Sequence, residues 1–327
     1  MSTILRPYLY LAAGIALVLV LNVVVGGIGS YDQRIVVNIG INMILAVSLN
    51  LVNGFTGQFS LGHAGFMSVG AYASAAFTTM VLPSTSDPLT QGLFFIVALL
   101  VGGLAAAVAG LLVGVPSLRL KGDYLAIVTL GFGEIIRVIL QNVSSLGGAL
   151  GLANIPRHTT FLWVFIVLTL VVFVIERVIR TTYGKGFLAV RDDEIAAEAM
   201  GVNTTRYKVV AFVVGAFFAG IAGGLYAHYN SLIKPDDFGF LKSVEIVVMV
   251  ILGGMGSTYG VIFAAAALTY LPEWLRSFTM FGIKFSDFRM SIYSLVLIVL
   301  MLVRPQGLFG GINFKGRRSA AKKAPIG

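Results

Sequence analysis

Glu134 and Arg137 stand three residues apart in an apolar run, with Gln141 four further on, so all three share one face of a helix. At that spacing a carboxylate and a guanidinium pair, and inside a hydrocarbon layer the pairing offsets part of the cost of burial. The stripe fits a structural ion pair between helices as well as it fits a polar wall past which a solute moves. A second group lies in "NGFTGQFSLGHAGF", 53–66, where Asn53, Gln58, Ser60 and His63 offer donors and acceptors among Gly54, Gly57, Gly62 and Gly65. At the helical angle per residue, Asn38 and Asn42 fall within about 60° of Asn53, on a face expected to look inward. A third group, Arg191, Asp192, Asp193, Glu194 and Glu198 followed by Gly201, sits in "YGKGFLAVRDDEIAAEAMGVNTTRYK", 183–208. No set combines a nucleophile with a base and an acid, which leaves a membrane enzyme with little support. The chain has no cysteine, and His63, His158 and His228 are too scattered for a metal cluster, so no cofactor or metal is expected.

The elements that position these groups are set by hydropathy. The 327 residues are 57% apolar and 11% charged, and the mean hydropathy is +0.93. Apolar runs near 8–29, 35–52, 64–82, 92–116, 124–142, 161–176, 209–227 and 290–303 approach the 20 or so residues a spanning helix needs; 245–271 is a ninth, interrupted segment. The expected fold is all-α: a polytopic integral membrane protein of about eight to ten transmembrane helices with glycine-broken or re-entrant segments. The first run exceeds a signal-peptide core and no small-residue cleavage pattern follows, so it reads as a mature helix. Gly102, Ala106, Gly110 and Gly114, and likewise Ala211, Gly215, Ala219 and Gly223, recur every four residues and give helix ridges that let backbones approach closely.

The net charge of +9 is dispersed over loops instead of being gathered with aromatics on one face, which argues against nucleic acid. Membrane topology accounts for it. With the N-terminal tail, 117–123, 177–208 and the chain after Val303 in the cytoplasm, fifteen Lys and Arg lie inside and seven outside. That count requires 245–271 to enter and leave on the same side, and "LGGMGSTYG", 252–260, is a glycine-rich break able to turn such a hairpin. Both termini are then cytoplasmic. Two breaks in the two halves of a chain point to a transport pathway, although hairpin turns at the membrane surface read the same way. In the 183–208 loop, residues 192–200 carry helix formers after Asp192 and Asp193, with Gly201 as a stop. Ile195, Ala199 and Met200 give that short helix an apolar side with no span to pack within, which suits a partner protein.

At this loop a resemblance becomes specific. "RDDEIAAEAMGVNTTRYKVVAFVVGAFFAGIAGGLYA" is similar to the cytoplasmic coupling segment and following helix of bacterial branched-chain amino-acid ABC-importer permeases. "GFTGQFSLGHAGFMSVGAY", "KGDYLAIVTLGFGEIIRV", "VILGGMGSTYGVIFAAA" and "RPQGLFG" resemble further segments of that family, in the same order. The "GDYLAIVTLGFGEI" and "AVRDDEIAAEAMG" runs bring the chain nearer the M-type than the H-type member of the permease pair. The resemblance covers most of 45–310 and implies a permease of the bacterial inner membrane; a single permease domain is expected over 1–310, and 311–327, outside the resemblance, reads from its basic residues as a cytoplasmic tail near anionic lipid. It also implies an H-type second permease subunit, two ATPase subunits and a periplasmic substrate-binding protein as partners.

The Glu-Ala-Ala…Gly element of importers corresponds here to Glu194, Ala196, Ala197 and Gly201, or to Glu198, Ala199 and Gly201. Arg191, Asp192, Asp193, Glu194, Glu198 and Gly201 are the expected ATPase-coupling set; Asn42, Asn53, Gln58, Ser60, His63 and Glu134 are the expected transport pathway. No G-x-x-x-x-G-K-[ST] phosphate cradle occurs, which agrees with ATP being hydrolysed on partner subunits. Within the family the substrate is a branched-chain amino acid or else urea, a short amide or another amino acid. A different class, an ion-coupled secondary transporter or channel, would use Glu134 or His63 as its proton carrier.

Overall fold

The computed structural model of the chain describes residues 2–27, 29–81, 87–117, 120, 122–277, 279–280, 283–284, 294–295 and 298–299. Its helices are α1 (Ser2–Gly26), α2 (Ser30–Asn50), α3 (His63–Ala76), α4 (Pro88–Ser117), α5 (Asp123–Asn142), α6 (Phe161–Arg180), α7 (Thr182–Asp192), α8 (Glu194–Ala199), α9 (Thr204–Asn230), α10 (Phe240–Gly253) and α11 (Thr258–Ser277). Wider π turns extend α2 through Leu51–Phe55 and α3 through Phe77–Val81. The extended strands in the described residues are a two-residue pair, Thr279–Met280 with Ile283–Lys284. Among the described residues, five segments are long and apolar enough to cross a membrane: Ser30–Phe55, His63–Val81, Leu89–Ser117, Phe161–Arg180 and Thr204–Asn230. The protein is an all-α, multi-pass membrane protein. Of the expected span 290–303 only 294–295 and 298–299 are described, both helical, and the tail 311–327 lies outside the described residues.

Small residues set how the central helices meet. A side chain at Gly70 would strike the backbone of Gly220, and one at Gly223 would strike the Met67 carbonyl, so α3 and α9 touch almost main chain to main chain. The α4 ridge packs on the Ala216 and Gly220 row of α9, while Gly215 and Gly223 of the other ridge face α2 and α3. Both ridges are packing surfaces, and they do not face one another. On the far side of α2, Gly40 admits Val164 and Phe165 of α6, and α6 in turn carries α1, where Thr169 packs on Gly14.

Contacts along α2 fix the path of the 240–277 hairpin. The Tyr31 hydroxyl donates to the Glu273 carboxylate, Asn42 lies between Thr269 (2.9 Å) and Lys242 (3.0 Å), and the Gly256 amide donates to Asn50 Oδ1 (2.9 Å). α10 therefore runs alongside α2, the chain turns at 254–257, and α11 returns. The hairpin enters and leaves at one end of the bundle, and its tip reaches the other, where α7 and α8 lie.

The 183–208 segment is more ordered than a loop with one short helix. The helix expected over 192–200 spans 194–199, and a further helix, α7, precedes it. Asp193 separates them in an extended conformation and accepts hydrogen bonds from the Ile195 and Ala196 amides, both at 3.0 Å, which caps α8. Gly201, at φ +82°, ends α8 in a left-handed turn that few other residues adopt without strain.

Candidate functional site

Irregular backbone inside a membrane protein must find its hydrogen bonds within the protein. The break after α2 does so almost completely. The carboxamide of Asn53 brackets Ser60, accepting from its amide at 3.2 Å and donating to its carbonyl at 3.5 Å. Thr56 Oγ1 donates to the Val52 carbonyl (2.7 Å), and Gln58 Nε2 donates to Thr56 Oγ1 (3.1 Å). Amides at the entry to α3 are met from outside: Leu61 N, just before the helix, donates to Thr129 Oγ1 on α5, and Ala64 N, in its first turn and without a partner in its own helix, donates to Ser243 Oγ on α10. His63 Nε2 lies 2.8 Å from Ser48 Oγ. Asn53, Gln58, Ser60 and His63 are all buried. Gly62 has an ordinary negative φ; glycine is required there because a side chain would run into the Thr129 carbonyl.

The second break folds onto the first. A Cβ at Gly54 would collide with the Asn50 carboxamide and the Gly256 amide, and those two groups are hydrogen-bonded to each other. Into this junction α7 sends Arg191. Its Nε and Nη2 donate to Asp192 Oδ1 (3.0 and 2.8 Å), and its Nη1 faces the Gly54 carbonyl at 3.4 Å. The aliphatic stem lies against Gly57, whose added Cβ would come within 2.9 Å of Arg191 Cγ; a Cβ on Gly256 would come within 3.2 Å of Nη1. Asn53, Gly54, Gly57, Phe59, Arg191 and Met255 line a half-open cavity of about 420 Å³ at this end of the bundle.

Two of the carboxylates expected to act in the 191–201 segment bond to the start of α9. Lys208 Nζ of α9 donates to Glu194 Oε1 at 2.6 Å, with Lys208 buried, and Thr204 Oγ1 donates to Glu198 Oε1 at 2.6 Å. α8 is thereby fastened to the start of α9. The large apolar side chains exposed here are Ile195 on α8, 75% exposed, and Met200 at its C-terminal cap, 84% exposed. A short helix held rigidly at its base with two large apolar side chains outward is suited to docking.

At the opposite end, where 143–160 meets 231–239 through the Leu152–Ile233 bridge, a different polar group forms. Arg137 Nε donates to Glu134 Oε2 (2.7 Å), Arg137 Nη1 and Gln141 Nε2 both donate to Asp236 Oδ1 (2.8 and 2.9 Å), and Glu134 Oε1 accepts from the Phe240 amide that begins α10 (3.1 Å). Two residues on, Lys242 Nζ donates to Asn42 Oδ1 (3.0 Å) and Glu245 Oε2 (2.9 Å). The Lys242 and Glu245 side chains retain 21% and 33% exposure, so this wall is paired but not sealed.

Residues 33–304, a range that takes in both breaks, α7 and α8, match the family described as "Branched-chain amino acid transport system / permease component". The chain belongs to this permease family. It is 36% identical over 303 residues to the high-affinity branched-chain amino acid transport system permease protein LivM of Salmonella typhimurium and to that of Escherichia coli, covering 82% of this chain and 67% of each relative. The LivH permease protein of Escherichia coli is 24% identical over 287 residues, covering 82% of this chain and 90% of that relative. The permease is therefore of the M type.

Within the permease, the six residues expected along a pathway divide. Asn53 borders the cavity, Gln58, Ser60 and His63 are enclosed, and Asn42 and Glu134 join the half-exposed wall at the other end. Asn42 and Asn53 bond to different neighbours. Sequence reading overlooked Asn50, which ties the two breaks together, and Lys242, Glu245 and Asp236, which complete the wall. A signal existed for one pair: Lys242 and Glu245 sit at a helical i, i+3 spacing at the head of an apolar run.

Proposed function

We propose that this permease is the membrane-spanning subunit of an ATP-driven importer of leucine, isoleucine and valine. It works in the inner membrane beside an H-type permease chain, two ATPase subunits and a periplasmic binding protein, with both termini cytoplasmic. The observation that carries this reading is α8, clamped to α9 by Lys208 and Thr204 and presenting Ile195 and Met200 outward. A transporter driven by an ion gradient has no need of a rigid docking knob on its cytoplasmic side. Its proton carriers would be His63, closed in against Ser48, and Glu134, already paired with Arg137.

The zwitterionic cargo needs acceptors for its ammonium and donors for its carboxylate. The wall of Glu134, Arg137, Lys242 and Glu245, together with Asn42, offers both, and charged pairs within spans turn toward water or protein instead of lipid. Passage then continues toward Asn53 and the cavity when the break opens, exposing Gln58, Ser60 and His63.

Reconstitution of the complete importer tests this. Leucine uptake that depends on ATP and binding protein, and is not diluted by excess urea, supports the reading. Replacing Ile195 and Met200 with serine should abolish co-purification of the ATPase while the permease still inserts. Retention of the ATPase by the double variant would remove the docking role.

A further inference from the structure

Arg191 is the one charged side chain seen here to touch both glycine breaks at once. Its stem presses on Gly57, its Nη1 faces the Gly54 carbonyl, and the same nitrogen is the nearest atom to a side chain placed on Gly256. Gly57 and Gly256 both have positive φ, at +69° and +84°, so each break turns at a residue whose backbone can change conformation more freely than any other. Arg191 itself belongs to α7 and is anchored to Asp192, directly before the Asp193 that caps α8. Phe187 of α7 also packs with Leu51 and Phe55 of the first break, but the contact that reaches the second break as well is the Arg191 guanidinium.

Two further observations show a junction with room and reason to rearrange. The cavity of about 420 Å³ lies against Arg191 and Met255, so the side chain is not locked on every side. Asn50 Nδ2 and Gln58 Oε1 are buried without a protein hydrogen-bond partner. Buried polar groups in native structures are nearly always satisfied, by protein or by water, so these two atoms call for water in the junction or a shift of the break.

We propose that Arg191 is the positioning residue that transmits displacement of the α7–α8 unit to both breaks, opening the junction between Gly54, Gly57 and Gly256. This rests on the docking of α8 to an ATPase, and it adds a specific link inside the permease: without the guanidinium, α8 moves and the breaks do not follow.

The test uses the assembled importer with a single cysteine at Met255, which is 54% exposed and borders the cavity in a chain that otherwise has no cysteine. Labelling by a water-soluble maleimide is timed without nucleotide and after vanadate trapping. The rate should change between the two states with Arg191 present, and Arg191→Met, which keeps the stem and removes the charge, should erase the change. Arg191→Lys should recover part of it. Leucine transported per ATP hydrolysed should fall by about two- to thirtyfold in Arg191→Met, the range spanned by residues that link coupled sites. A full nucleotide response in Arg191→Met overturns the proposal. So does an unresponsive Met255 position in a complex that has bound its ATPase. Absence of the ATPase from the purified complex would instead strike the docking reading, and that outcome is seen before any labelling. Should Arg191→Met fail to assemble, Arg191→Ala and Arg191→Lys are compared at equal ATPase content, and equal responses in these two count against the proposal.

Discussion

The break between α2 and α3 and the charged wall between α5 and α10 are both polar interruptions of an apolar bundle, yet they are solved in opposite ways. At the break, Asn53, Thr56, Gln58, Ser60 and His63 are buried and bond mainly within the segment or to Ser48. At the wall, Glu134, Arg137, Asp236, Lys242 and Glu245 pair across three elements and keep part of their surface exposed. A segment whose polar groups satisfy one another needs no water and serves as a joint. A set of paired charges left half-open at the end of the bundle needs water or a partner protein on its open side. Glycine content and polarity look alike in the sequence, and only the destination of each hydrogen bond separates joint from wall.

The largest effect should come from filling the joint. Gly62→Val drives a branched side chain into the Thr129 carbonyl of α5, and we expect the protein to be lost from the membrane, measured as detergent-extracted monodisperse yield. Normal yield would show that the α3–α5 approach is loose. Next in size, Lys242→Met should lower leucine transport by roughly ten- to hundredfold, the worth of one hydrogen bond to a charged group, while thermal stability changes little because the pair is partly exposed. A stability loss without a transport loss would make the wall a structural pair and dissolve the contrast. Asn53→Ala leaves the Ser60 amide without its acceptor and should cost about 1–3 kcal/mol in stability, read by thermal unfolding in detergent, with substrate selectivity unchanged. The smallest effect belongs to Gln58→Ala. It gives up one neutral hydrogen bond and also removes a buried oxygen that has no partner, so stability should stay within about 1 kcal/mol of the parent.

Much of this was legible in the sequence because hydrocarbon imposes simple rules. Five of the expected spans, both interruptions, the short helix ended by Gly201 and the Glu134–Arg137 pair follow from hydropathy, glycine spacing and the i, i+3 rule. What stayed hidden depends on long-range pairing. Asn50 is an unremarkable amide at the end of a span until Gly256 is placed 2.9 Å away, 206 positions along the chain. Lys208 reads as a cytoplasmic flanking charge, and its burial against Glu194 is decided by how α8 folds back on α9. Arg191 reads as a surface cation among acidic neighbours, whereas its stem is pressed on Gly57. The helix α7 was missed because Gly184 and Gly186 lower helix propensity, and tertiary contact overrides them: Phe187 and Val190 bury their side chains and Gly186 admits the ring of Tyr207.

The contrast between joint and wall is tested most directly by thiol reactivity in the nucleotide-free importer. Single cysteines at Gln58 and Ser60 are compared with single cysteines at Lys242 and Glu245, using a membrane-impermeant reagent on a background with no native thiol. The account predicts that 58 and 60 stay unlabelled while 242 and 245 react and are protected by leucine. Rapid, leucine-protected labelling at 58 and 60 with silence at 242 and 245 would contradict it.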